Sequence, residues 1–250
     1  MLANAFIEGI GNTGKSPHRN NQWFTKNMDD SKKPDKITSA NFREVCMGGI
    51  APKWLYRSSH PISCGKQDFI IAEAAETAKI AAVLNLADDE RRLKQKADLV
   101  PWYNKLFQER CITALNMGFD FSSDQFCGKL KEGIKFIINH KGPYLIHCLQ
   151  GIDRTGFFVM LLEMLMGADK DEMAGDYMAS FLDRPGFEKK SVYYKREYSH
   201  FINVLRALNG GKSAAIKNMS GIAEKYISEN AGLIRSDLDR LKLTLSRRQN

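Results

Sequence analysis

From Trp54 onward, short apolar runs alternate with longer amphipathic stretches. WLYRS at 54–58 reads as a strand, and SCGKQDFIIAEAAETAKI at 63–80 as a cap followed by a helix. AAVLNL at 81–86 is apolar enough for a central strand, whereas the charged stretch 87–96 suits a loop or an exposed helical turn. CITALNM at 111–117 is the next strand candidate. The loop GFDFSSD follows it, then a helix from about Gln125 to Asn139 with Asp124 or Ser123 as N-cap. After a turn at Lys141–Pro143, YLIHC at 144–148 reads as a further strand. A helix over 155–166 comes next, apolar around nearly its whole circumference, as a helix buried in the middle of a domain is, and it ends near Gly167. Helices at 170–183, 191–208, 212–228 and 234–246 complete the pattern. Strands alternate with helices and then helices continue alone, which predicts an α/β fold with a helical C-terminal part. Residues 11–38 are rich in Gly, Asn, Lys, Asp and Pro and break the pattern. The expected organisation is a flexible N-terminal arm over 1–38 and one domain over 39–250, with no internal repeat.

Composition narrows the class only a little. The chain has 250 residues, 43% hydrophobic and 26% charged, which fits an ordinary globular protein. A formal charge of +8 favours anionic partners, among them nucleic acid, anionic lipid and phosphorylated molecules. The densest basic groups, Arg91–Lys96 and Lys189–Arg196, do not alternate with aromatics in a nucleic-acid-binding pattern, so no nucleic-acid partner is expected. No stretch is long enough to span a bilayer, and Met1–Ile10 has no basic leader, so a cytoplasmic protein without integral membrane association is expected. Five cysteines without CxxC spacing argue against a structural zinc site or a redox pair, and no metal or cofactor is expected.

One motif is set aside on physical grounds. GIGNTGKS at 9–16 satisfies the nucleotide-binding pattern G-x-x-x-x-G-K-S. That pattern needs a strand before it and a helix after it, yet only eight residues precede it and Pro17 follows at once. A turn is the simpler reading. GGKSAA at 210–215 lacks the first glycine spacing and reads as a helix start.

The chemistry concentrates in HCLQGIDRTG, 147–156, between the strand YLIHC and the apolar helix. A loop between a strand and a helix N-terminus can wrap an oxyanion with its amides. Leu149, Gln150, Gly151, Ile152, Asp153 and Arg154 form that cradle. Cys148 is the candidate nucleophile, whose thiolate attacks phosphorus to give a phosphocysteine, and the loop amides favour the thiolate form. Arg154 can offer two parallel N–H donors to two phosphoryl oxygens, a fork that lysine lacks. The Thr155 hydroxyl can donate to the Cys148 sulfur, or else cap the helix. Gly151 permits a backbone conformation or a close approach that a side chain would obstruct, and Gly156 does the same where the helix begins. His147 is read as an orienting residue that bonds loop backbone, with a general-base role as the alternative.

HCLQGIDRTG resembles the signature of cysteine-dependent tyrosine phosphatases. More narrowly, the chain resembles the microbial tyrosine/serine phosphatases whose loop has an aspartate before the arginine, over roughly residues 38–246. NFREV (41–45), LYRSS (55–59), DYMAS (176–180) and the C-terminal segment AAIKNMSGIAEKYISENAGLIRSDLDRLKLTL carry the rest of the likeness. The resemblance implies a four- or five-stranded sheet flanked by helices, and metal-independent hydrolysis of phosphomonoesters that resemble phosphotyrosine, with phosphoserine, phosphothreonine and phosphoinositides in the family's range. Two departures stand out. Asn85-Leu86-Ala87 replaces the family's Asp-Leu-Arg, and Ile152 stands where the branch commonly has lysine, which weakens the phosphoinositide reading.

A leaving-group acid is still required. Asp120 is preferred, because it follows the strand at 111–117 and lies in the aromatic-flanked loop Gly118-Phe119-Asp120-Phe121. Asp88, Asp89 and Asp124 are the alternatives. Asp153 is expected to turn outward and bond backbone amides, Arg57 or His60, or instead to act as the acid or position water. Phe119 and Phe121 either wall the pocket or pack in the core. The leading reading is a protein-tyrosine phosphatase, with dual specificity open, acting on a phosphotyrosine protein or peptide and releasing inorganic phosphate. A phosphoinositide or inositol-phosphate phosphatase, a phosphoprotein-binding module, and arsenate or sulfur-transfer chemistry are the other readings.

Overall fold

Five short strands build one mixed sheet in the order β1-β2-β5-β3-β4. They are β1 (Arg43–Val45), β2 (Leu55–Ser58), β3 (Ala82–Asn85), β4 (Ile112–Ala114) and β5 (Tyr144–His147). β1 runs antiparallel to β2, and β2, β5, β3 and β4 are parallel. The structure is a computed structural model that describes residues 40–63, 65, 67–212 and 218–246. The expected arm over 1–38, the GIGNTGKS segment and Cys64 lie outside the described residues.

Nine α-helices are present among the described residues: α1 (Gln67–Thr77), α2 (Glu90–Lys96), α3 (Pro101–Gln108), α4 (Asp124–Asn139), α5 (Asp153–Leu165), α6 (Lys170–Ala179), α7 (Val192–Leu208), α8 (Met219–Ala231) and α9 (Arg235–Leu245). This is the expected α/β fold with a helical C-terminal part. The stretch 87–96, left between loop and helical turn, forms α2, because Asp89 caps it by accepting from Arg92 N–H. α6 stops at Ala179 rather than 183, and α8 starts at Met219 rather than 212. Gly210 and Gly211 have φ of +65° and +80° and end α7 in a turn, so no helix starts at those two residues, while the rest of the expected start, 213–215, lies outside the described residues.

Strand alternation sorts the core into two layers. Leu84, Tyr144 and Ile146 pack with α4, α5, α8 and α9, whereas Val83 and Leu145 pack against Ile71 of α1 and Tyr103 and Leu106 of α3. β5 is sandwiched between β2 and β3 and is buried at every residue, which explains why its run is apolar on both faces. α5 is likewise buried from Thr155 to Leu165. Each large side chain so enclosed contributes about 1.5–3 kcal/mol relative to exposure. The loop after β5 is therefore mounted between a fully buried strand and a buried helix.

Candidate active site

The loop Cys148–Ile152 leaves the C-terminal end of the central strand, where open α/β sheets place their ligand crevices. Neighbouring strands hold it from both sides. Gly151 adopts φ +71°, and a Cβ there would lie 2.3 Å from the Ser58 carbonyl oxygen at the end of β2. Glycine is thus required twice, for the left-handed backbone and for the contact. The Gly151 carbonyl accepts from Arg57 Nη2 (2.8 Å) and Asn41 Nδ2 (3.1 Å), and Asn41 Nδ2 also donates to the Gln150 carbonyl (3.1 Å). On the other side of the nucleophile, the His60 N–H donates to the Leu149 carbonyl (3.1 Å).

The arginine beneath the loop belongs to a buried charge cluster. Arg57 is 1% exposed and pairs through Nη1 with Asp176 of α6. Arg43 of β1 reaches the same carboxylate through Nε (2.8 Å) and donates through Nη2 to Ser180 Oγ (2.8 Å). It also bonds the Asn41 side chain. Burial pushes the Asp176 carboxyl up, but Arg43 and Arg57 outweigh it and hold the group below the usual carboxylate range. Glu163 of α5 is the opposite case: burial, then the Asp176 charge, keep its carboxyl well above the usual range. The segments NFREV, LYRSS and DYMAS therefore meet under the phosphate loop. Residue-by-residue reading noted those segments but assigned Asn41, Arg43 and Asp176 no place in the site.

Cys148 is 3% exposed, at the start of the loop. Arg154 is anchored by Nη1 to the carbonyls of Leu86 and Met117 (3.2 Å each), and its guanidinium lies 4.8 Å from the centre of the Phe119 ring. Its Nε is buried without a hydrogen-bond partner among the described residues, as is the Thr155 hydroxyl. Thr155 lies within α5, whose N-cap is Ile152 with no side-chain cap, so the helix-capping alternative for Thr155 does not hold. Orphaned buried donors are costly, so both groups stand out in the core. Gly156 has ordinary helical backbone. Its missing Cβ leaves room for the Tyr177 ring, 3.3 Å from where that atom would be, so its role is close approach alone.

His147 is fully buried, with Nε2 bonded to the Tyr103 hydroxyl (3.0 Å) and the other side of its ring facing the Cys148 main chain of the loop. Burial first, and then the neighbouring His60, depress its ring well below the ordinary histidine range, so it stays neutral and only weakly basic at neutral pH. Tyr103 lies on α3, a helix absent from the sequence reading although Pro101 at its first position and the spacing Trp102, Tyr103, Leu106 signal one.

The candidate acids separate clearly. Asp88 is buried and accepts from His60 Nε2 (2.7 Å) and Asn85 Nδ2 (3.0 Å). Burial alone raises its carboxyl, yet those bonds bring it well below the usual range. Asp89 is spent on capping α2, and Asp124 opens α4, where Ser123 provides the cap. Asp120 is exposed on the 118–123 loop, its Oδ1 accepting from Ser122 N–H (3.1 Å) and Oγ–H (2.7 Å), and these bonds lower its carboxyl. Asp153 is exposed, but the outward partners expected for it are taken: Arg57 by Asp176 and His60 by Asp88. The two loop phenylalanines divide. Phe121 stacks on Phe157 at 4.1 Å, whereas Phe119 is 61% exposed over Arg154.

Among the described residues no cluster of His, Cys, Asp and Glu could hold a metal ion, and no helix is long and apolar enough to cross a membrane. No curated protein sequence matches the chain. Among solved structures it is similar to the core catalytic domain of the PP-IP phosphatase SIW14 from S. cerevisiae in complex with citrate. That match has 19% identity over 80% of this chain and 94% of that one, with a TM-score of 0.42. A second structure, of the Siw14 catalytic core, matches at 18% identity over 74% and 90% of the two chains, with a TM-score of 0.39. A sequence model of the tyrosine phosphatase family matches residues 72–247, a span that includes the whole phosphate loop. By that match over most of its length, the chain belongs to the tyrosine phosphatase family.

Proposed function

We propose that the protein hydrolyses phosphotyrosine in proteins or peptides through a phosphocysteine intermediate. The observation that carries the substrate class is the apolar rim of the anion loop. Phe119 and Leu149 flank Arg154 and Cys148 in exposed positions, 61% and 60% accessible, and Ile152 takes the loop position where a lysine would serve a polyphosphorylated ring. An aryl ester can lay its ring on such a rim.

In this mechanism the Cys148 sulfur attacks phosphorus as the P–O ester bond breaks. The leaving oxygen takes a proton from Asp120. The Nε edge of Arg154 orients two phosphoryl oxygens and stabilises the shifting charge. Water then attacks phosphorus, gives its proton back to Asp120 and breaks the P–S bond, while the Thr155 hydroxyl donates to the departing thiolate. Asp120 is preferred because its neighbours Met117 and Phe119 touch Arg154, whereas Asp88 and Asp89 are committed elsewhere. To act as the acid, Asp120 has to exchange Ser122 for the leaving oxygen.

The test is a rate panel of phosphotyrosine, phosphoserine and phosphothreonine peptides and phosphoinositides, with Cys148→Ser as control. Phosphotyrosine peptide is expected to turn over fastest, and Cys148→Ser to abolish turnover. Faster turnover of a phosphoinositide overturns the substrate assignment, and an active Cys148→Ser overturns the mechanism.

A further inference from the structure

Asp88 makes a better positioning group than an acid, because the hydrogen bonds around it close a circuit on the nucleophile. Ile62 N–H donates to His60 Nδ1 (3.2 Å), so the His60 ring hydrogen sits on Nε2 and donates to Asp88 Oδ2 (2.7 Å). The Asn85 side chain has a fixed orientation, since its Oδ1 accepts from the N–H groups of Ala87 (2.9 Å) and Asp88 (3.0 Å). Its Nδ2 then donates to Asp88 Oδ2 (3.0 Å) and to the Tyr103 hydroxyl oxygen (3.2 Å). With that oxygen accepting, the Tyr103 hydroxyl hydrogen donates to His147 Nε2 (3.0 Å). The His147 hydrogen is left on Nδ1, which faces the Cys148 main chain without a close hydrogen bond. All five side chains are buried.

The circuit reaches the loop at both neighbours of Cys148. One end is the His147 ring. The other is His60, whose main-chain N–H holds the Leu149 carbonyl (3.1 Å) and whose ring meets that of His147 edge-on, 4.9 Å between centres. We propose that Tyr103, Asn85, Asp88 and His60 form a positioning relay that fixes His147 in one neutral tautomer and brackets Cys148 from both sides. The protonation states agree with this. Burial raises the Tyr103 hydroxyl, so it stays a donor, and His147 stays neutral while Asp88 stays ionised. Networks of this kind act as units, so loss of one hydroxyl propagates to the far end.

The relay rests on the phosphatase reading for its effect on rate but not for its effect on His147, and the experiment separates the two. In ¹⁵N-histidine-labelled protein, His147 is expected to show a protonated Nδ1 and an accepting Nε2. Tyr103→Phe removes only the hydroxyl. It is expected to mix the two tautomers and to lower kcat on aryl phosphates about five- to tenfold, with KM unchanged and the same loss for good and poor leaving groups. Asp88→Asn is expected to act in the same direction, again without leaving-group dependence. Unchanged His147 signals and kcat in Tyr103→Phe overturn the relay, as does a loss in Asp88→Asn that grows as the leaving group becomes poorer. If the wild-type protein leaves aryl phosphates intact while the His147 signals respond to Tyr103→Phe, the phosphatase reading fails and the relay stands.

Discussion

The phosphate loop and the loop carrying Asp120 face each other across Arg154, yet they are built on opposite plans. Carbonyls of the phosphate loop are held by Asn41, Arg57 and the His60 N–H, and its glycine is wedged against β2. The 118–123 loop is bonded mainly to itself, through Asp120, Ser122 and Ser123. Its hydrogen-bonded and stacked anchors to other elements lie towards its ends, where Arg154 bonds the Met117 carbonyl and Tyr226 and Phe157 meet Phe121. Between those anchors Phe119 and Asp120 are exposed, and a Cβ added at Gly118 would meet open space. Under the proposed function, attack on phosphorus tolerates little misplacement, which suits a loop held by this many partners. Proton delivery to a leaving group depends on the substrate being in place, and a loop pinned at both ends with a free tip suits that task.

Four substitutions test this contrast. The largest effect is expected from Asp176→Asn, which leaves Arg43 and Arg57 buried without their carboxylate. Urea unfolding should show a loss of about 3–5 kcal/mol. Gly151→Ala forces a side chain into left-handed backbone and onto the Ser58 carbonyl. Hydrolysis should fall about 100-fold and vanadate inhibition should weaken in step, because the cradle itself moves. Asp120→Asn should lower kcat about 100-fold with a poor leaving group and far less with a good one. Its unfolding free energy should stay within about 0.5 kcal/mol of wild type, as befits an exposed tip. A large stability loss there, or an Asp176→Asn that unfolds like wild type, would erase the distinction between the two loops.

The smallest effect concerns pH. Glu163 is held above its unfolded value of 4.5, so its favourable contribution is full below that value and is lost as pH rises toward the raised folded value. Glu163→Gln should therefore match wild type in acid relative to its own baseline, then gain about 1.4 kcal/mol per pH unit within that window. Parallel urea titrations from pH 4 to 8 check this. A flat difference between the two proteins would show that Glu163 shares its proton in some other way.

Much of this arrangement is legible in the sequence, and the gaps have identifiable causes. β2, β3 and β5, within the runs 54–58, 81–86 and 144–148, are buried at every residue, the edge strand β4 at 111–117 is half-buried, and the helix after Cys148 is apolar all round because it is enclosed all round. β1 escaped because three residues, REV, carry no alternation to detect. α3 escaped because its two turns lie between charged stretches, and Tyr103 with it. Asp88 looked like a candidate acid because a carboxylate after a strand is all a linear reading sees. Its bonds to His60, 28 positions earlier in the chain, and to Asn85 exist only once the ends of β2 and β3 are brought beside β5.

The α/β alternation and the spacing of Cys148, Gly151, Arg154 and Thr155 are written in the linear chain, because both are local. Periodicity fixes which face of an element is buried, and ten consecutive residues contain the phosphate loop. Tertiary structure alone decided which charges support that loop and which carboxylates remain free. Arg57 meets Asp176 across 119 positions, and Tyr103 meets His147 across 44. Such pairings arise from the order of strands in the sheet, and a buried polar group is satisfied by whatever that order places beside it.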